Sequence, residues 1–141
     1  MASDDIWILG INMTKFGKYP DKDTVDLASE AALGALADGG VTMKDMGVLA
    51  AGCLMGSGGI GQQIQKQIGQ TGIPAYNVSN ACATGATALR VAYLTVKSGE
   101  ADFGIAVEEA ERLFARLRDE GVRHAILAMP GVAQAANVTY L

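Results

Sequence analysis

Apolar residues along the chain alternate between short continuous runs and helical spacings, and that alternation predicts most of the elements. Ile6 to Asn12 is a short apolar run, followed by the Lys/Gly/Pro-rich stretch Lys15 to Pro20, so it reads as a core strand and then a loop. Asp23 or Thr24 can cap a helix in which Leu27, Ala28, Ala31, Ala35 and Leu36 recur at helical spacing until Gly39-Gly40 stops it. Thr42 and Asp45 have the spacing of a short capping box, and Val48 to Met55 is almost continuously apolar, as a strand buried on both faces requires. A Gly-rich turn, Gly56 to Gly61, leads into a helix over Gln62 to Gln70, which Gly72 and Pro74 separate from the extended run Ala75 to Val78. From Ala81 or Cys82 a helix runs to about Ser98 with Leu89, Ala92, Tyr93 and Val96 on one face, and Phe103 to Val107 is the next strand. The spacing then predicts an amphipathic helix over Glu108 to Glu120, with Leu113, Phe114 and Leu117 inward and Gly121 as C-cap. A strand from Ala125 to Met129 comes next, ended by Pro130.

Strands alternating with helices imply βαβ units and a mostly parallel sheet between helical layers. At 141 residues the chain has the size of one ordinary domain, and no repeat or linker divides it. Half the residues are apolar and the formal charge is -4, which supplies no basic surface for nucleic acid. Met1 to Asp5 lacks the basic start and apolar run of a secretory signal, and no apolar stretch approaches a membrane span. The two cysteines, Cys53 and Cys82, stand in no metal-ligand or disulfide spacing, so the expectation is a cytoplasmic protein with no metal.

The strongest chemical candidate is Asn80-Ala81-Cys82-Ala83-Thr84-Gly85. A thiol at the first turn of a helix faces unpaired N–H groups and the positive end of the helix dipole, which favours the nucleophilic thiolate. Small neighbours, Ala81, Ala83, Gly85 and Ala86, allow a substrate acyl group or another backbone to come close. The plain alternative is a cysteine that merely fills a Gly/Ala-rich core. Gly56-Ser57-Gly58-Gly59-Ile60-Gly61 fits a dinucleotide-binding turn, yet no Asp or Glu lies between Asp45 and Glu100 to hold a ribose. That acid-free stretch holds Lys66, Arg90 and Lys97 and would tolerate an anionic ligand, or is simply buried. Cys53 reads as a core residue, and His124, the single histidine, as structural or surface.

Gly72-Ile73-Pro74, then Asn80-Ala81-Cys82-Ala83-Thr84-Gly85-Ala86-Thr87-Ala88-Leu89, then Ser98-Gly99-Glu100-Ala101-Asp102 resemble the N-terminal half-domain of thiolases, and the likeness reaches back to Ile6. The Ala-Thr-Gly after the cysteine is similar to the sterol-carrier-type thiolases rather than the degradative enzymes. The resemblance implies a three-layer α-β-α half-domain over residues 1–107, with the helix that starts at Cys82 buried at the centre. It further implies that Cys82 takes an acyl group from a coenzyme A thioester, with coenzyme A as substrate and no cofactor. By the same match, Asn80 would position the loop and the Cys82 N–H would contribute to an oxyanion hole.

The chain departs from the family after Val107, where a Gly-Val-Glu segment would lead to a long loop domain. Residues 108–141 instead read as a divergent helix, strand and tail packed on the same domain, loosely similar to the closing helix and strand of luciferase-like flavin monooxygenase barrels. The family's second half, with its base cysteine and its histidines, is not in this sequence. Three readings are open: a thiolase-type acyltransferase whose Cys82 forms an acyl-enzyme, a non-catalytic protein keeping the fold, and a nucleotide-binding module on the Gly-rich turn. The substrate implied is a 3-ketoacyl-coenzyme A, branched or sterol-derived; steroid side-chain aldolases share the fold but do not depend on such a nucleophile. A lone half would also expose apolar surface, so a homo-oligomer or a partner subunit is expected.

Overall fold

The computed structural model describes residues 5–15, 17–54, 58–109 and 123–130. The elements are β1 (Ile6–Met13), α1 (Thr24–Asp38), β2 (Val48–Cys53), α2 (Ile60–Ile68), β3 (Ala75–Val78), α3 (Thr84–Lys97), β4 (Gly104–Glu109) and β5 (Arg123–Pro130). One five-stranded sheet carries them in the order β1-β5-β4-β2-β3. β2 pairs in parallel with β3 and β4, whereas β5 pairs antiparallel with both β4 and β1. The other strands therefore all point one way and β5 alone points the other, so the sheet is mostly parallel in direction although both pairings of β5 are antiparallel.

Alternation along the strands divides the core. Leu49, Ala51, Ile105 and Val107 face α1 and α2, packing with Ala28, Ala31, Ala32, Ala35, Ile60 and Ile64. Ala50 and Ala106 face the other way, against Ala88 and Ala92 of α3. Helices on both faces make the three-layer α-β-α architecture, and β2 is buried from Val48 to Gly52 because both its faces are covered. The α3 layer sits close to the sheet because alanine and glycine meet on both sides of the contact.

Local chemistry explains the element ends. Asp23 caps α1 with a full capping box, its carboxylate accepting from the Asp26 N–H while Asp26 accepts from the Asp23 N–H. Asp26 also accepts from Gln67 at 3.0 Å, tying α1 to α2. The backbone N–H of Thr42 donates to Asp45 at 2.8 Å, but the pair closes a turn rather than starting a helix. β1 carries an irregularity between Ile8 and Ile11, and there the Ile11 N–H donates to Asp38 at the end of α1.

Three expectations are corrected. α3 begins at Thr84, after Cys82, and it is not buried on all sides: Ala88, Ala92, Thr95 and Val96 face inward while Arg90, Tyr93 and Leu94 are exposed. The helix expected from Glu108 loses its first two residues to β4, whose ladder with β2 runs through Glu108 and Glu109. The rest of that helix, 110–120, lies outside the described residues. β5 is longer than the apolar run Ala125 to Met129, and it takes its place in the sheet between β1 and β4.

Candidate active site

β2, β3 and β4 end at the same edge of the sheet, and the chain leaving β3 turns there into α3. In open α/β sheets this edge, outside the carboxyl ends of the strands, is where ligands bind. Cys82 lies in that turn and is exposed, as are Ala81 and Ala83.

The turn is held by its own polar groups. Ala83 N–H donates to Asn80 O at 2.9 Å and Thr84 N–H to Ala81 O at 3.1 Å, closing tight turns immediately ahead of the helix. The first helical bond comes next, from Thr87 N–H to Ala83 O. Ala81 adopts φ 46°, a left-handed conformation that costs a non-glycine residue free energy. Thr84, 1% exposed, supports it: the hydroxyl accepts from Asn80 N–H at 2.8 Å and donates to Ala81 O at 2.7 Å. Asn80 Nδ2 donates to the Thr87 hydroxyl, which donates in turn to Ala83 O. Asn80 thus fastens the turn to α3 on both sides of the cysteine.

Cys82 stands ahead of the helix rather than in its first turn, because the reversal at Ala81 makes the backbone close three-residue bonds before helical bonds begin. No side chain caps α3, whose N-cap is Ala83, so the positive end of the helix opens toward the turn that presents the thiol. Below it, the helix start rests on β2 and β4. A Cβ on Gly52 would lie 2.9 Å from Thr84 Cγ2, and a Cβ on Gly85 would lie 2.1 Å from Glu108 Oε2. Glycine at both places lets α3 descend onto the strand ends.

The other sequence candidates are not brought to this turn in the same way. Cys53 is partly buried against the main core, consistent with a packing role. His124 lies on β5 in register with Glu108 of β4 and Met13 of β1. At the Gly-rich turn, Gly59 has φ 95° and precedes α2, but the Gly61 N–H that a phosphate would need donates to Asn77 Oδ1 at 2.7 Å. The nucleotide reading loses a donor there. Among the described residues no group of His, Cys, Asp and Glu could hold a metal ion, and no helix is long and apolar enough to cross a membrane.

Thr84 and Thr87 stand within the sequence motif, which assigns them no role, and Glu108 lies outside it. A threonine at the first position of a helix is an ordinary pattern, and Glu108 reads as a helix start until the strand register is known.

The family model for the thiolase N-terminal domain matches residues 6–114, most of the chain and past the Val107 limit of the motif resemblance. The chain belongs to the thiolase family. Sterol carrier protein 2 of Gallus gallus is 41% identical over 106 residues, covering 72% of this chain and 19% of that protein. An acetyl-CoA acetyltransferase of Methanothermobacter thermautotrophicus is 37% identical over 107 residues, covering 72% of this chain and 28% of that protein. The chain therefore spans under a third of the length of these relatives. Among solved structures, 3-oxoacyl-[acyl-carrier-protein] synthase III of Aquifex aeolicus superposes with TM-score 0.77 at 15% identity, covering 92% of this chain and 55% of that one. That likeness shows a shared thiolase-type fold.

Proposed function

We propose that this thiolase-family chain is an acyl acceptor, with Cys82 taking the acyl group of a coenzyme A thioester. The observation that carries the reading is the exposed thiol in a strained, hydrogen-bonded turn at the uncapped N-terminus of α3. The Cys82 thiolate attacks the thioester carbonyl, an oxyanion forms, and collapse expels the coenzyme A thiolate, leaving an acyl-cysteine. The proton released by Cys82 is balanced by the one the departing thiolate takes up. Backbone N–H groups at the turn, that of Cys82 included, are the donors proposed for the oxyanion.

Carbon–carbon condensation also needs a base for the second substrate, and the family takes it from a second half this sequence does not contain. The proposal for these residues is acyl-enzyme formation, any further step depending on groups outside them, and self-association or a partner subunit is proposed alongside it. A 3-ketoacyl or branched acyl-coenzyme A handled in a cytoplasmic setting is the substrate class proposed. Incubation with an acyl-coenzyme A and then intact-mass and peptide mass spectrometry test it. A single acyl increment on the peptide holding Cys82, lost in Cys82→Ser, is expected. Absence of the adduct at millimolar thioester overturns the reading and leaves a non-catalytic thiolase fold.

A further inference from the structure

Among the described residues the sheet ends on one side in β3, four residues long, and on the other in β1, eight residues long. A long edge strand is a template for another chain, because its outward N–H and C=O groups have no ladder partner. The side chains of β1 add to that hazard. Leu9 packs on the main core, and Gly10 and Asn12 lie against α1. By alternation, with the irregularity adding one residue, Ile8, Ile11 and Met13 then share the opposite face. They are 36%, 63% and 46% exposed.

One polar contact interrupts this edge. The register of β1 on β5 shifts between Ile8 and Ile11, and the Ile11 N–H donates to Asp38 Oδ2 at 2.9 Å rather than into the ladder. A side chain as short as aspartate reaches because Gly10 lets the end of α1 approach: a Cβ on Gly10 would lie 2.2 Å from Ala35 O and 2.4 Å from Gly39 N. Asp38 is the last residue of α1, where the helix dipole disfavours a negative charge, and the last turn holds no basic residue. The helix gains nothing from a carboxylate there, whereas the strand edge does.

We infer that Asp38 guards the β1 edge against strand addition by a second copy of this chain. A strand arriving at the edge needs the Ile11 N–H for one of its carbonyls and meets a carboxylate oxygen instead, so two acceptors face each other. In a two-fold pairing of β1 with β1 the conflict occurs in both copies. The inference is independent of the role of Cys82, and it leaves association through other surfaces untouched.

The test is Asp38→Ala in the full chain, with sedimentation velocity over a range of protein concentrations and hydrogen exchange of the peptide covering 6–13. The association constant rises about tenfold over wild type, the order expected when each copy regains one backbone hydrogen bond. Protection of that peptide grows with protein concentration. At low concentration the urea midpoint is no lower than wild type, since an exposed helix end has lost an unfavourable charge. Asp38→Asn, which keeps an acceptor without the charge, falls between the two. Ile11→Lys added to Asp38→Ala charges the freed edge and returns the association constant to the wild-type value. A folded Asp38→Ala that associates like wild type overturns the inference. So does tighter association without protection of 6–13 or without reversal by Ile11→Lys, which would place the contact elsewhere. Loss of folding in Asp38→Ala overturns it as well, because the bond would then be a structural tie between α1 and β1.

Discussion

Thr84→Val replaces a buried hydroxyl by a methyl group of nearly the same shape, and it strikes the point on which the nucleophile turn depends. The Thr84 hydroxyl makes two hydrogen bonds, accepting from Asn80 N–H at 2.8 Å and donating to Ala81 O at 2.7 Å. Ala81 O keeps its bond from Thr84 N–H in the variant, but Asn80 N–H is left facing a methyl group. Leaving that donor without its partner at a partly buried hydrogen bond should cost the variant about 1–3 kcal/mol. The left-handed Ala81 loses one of its supports as well, so the turn around Cys82 should loosen along with the fold. Thr84→Ser keeps the hydroxyl and removes only Cγ2, the atom that lies over Gly52, at a cost of about 1 kcal/mol. Urea unfolding monitored by far-ultraviolet circular dichroism checks both, with midpoints ordered wild type, Thr84→Ser, Thr84→Val and similar slopes. A Thr84→Val protein within about 0.5 kcal/mol of wild type would refute the claim that this hydroxyl holds the turn, since surface substitutions without such a role fall in that range.

Packing and charge give two further outcomes. Gly10→Ala should destabilise by about 3 kcal/mol or prevent folding, because the new Cβ would lie 2.2 Å from Ala35 O and 2.4 Å from Gly39 N, backbone atoms that cannot swing aside; a thermal midpoint equal to wild type would contradict the contact. The Asp26 carboxyl is held below its ordinary value chiefly by the Asp23 N–H and then by Gln67, and that of Asp45 by the Thr42 N–H. Both contributions are fully present above the unfolded-state carboxylate value near pH 4 and fade as pH falls through the lower folded values, so Asp26→Asn with Asp45→Asn should flatten the stability loss between about pH 4 and 2. Thermal midpoints measured across that window decide it, and an unchanged acid limb would mean that these two carboxyls do not govern acid stability.

The sequence alone carries the alternation of strands and helices, an N-cap at Asp23 or Thr24 and a stop at Gly39-Gly40, the both-faces burial of β2 and a cysteine near a helix start flanked by small residues. Each is local: a period of two or of three to four residues reports which face is buried, and a cap needs partners only a few residues away. Tertiary structure decided what depends on pairs distant in the chain. The insertion of β5 between β1 and β4 could not be read from the apolar run at Ala125 to Met129, since apolar spacing carries no neighbour and no direction. Asn77 taking the Gly61 N–H spans the gap between β3 and α2, and Glu108 reaching Gly85 depends on β4 running past Val107 beside β2. Even the start of α3 moved, because a hydroxyl at Thr84 and a left-handed Ala81 close a turn where periodicity would continue the helix. Local pattern sets each segment's conformation and buried face; register and close approach, which place the Glu108 carboxylate against Gly85, arise only when the segments pack.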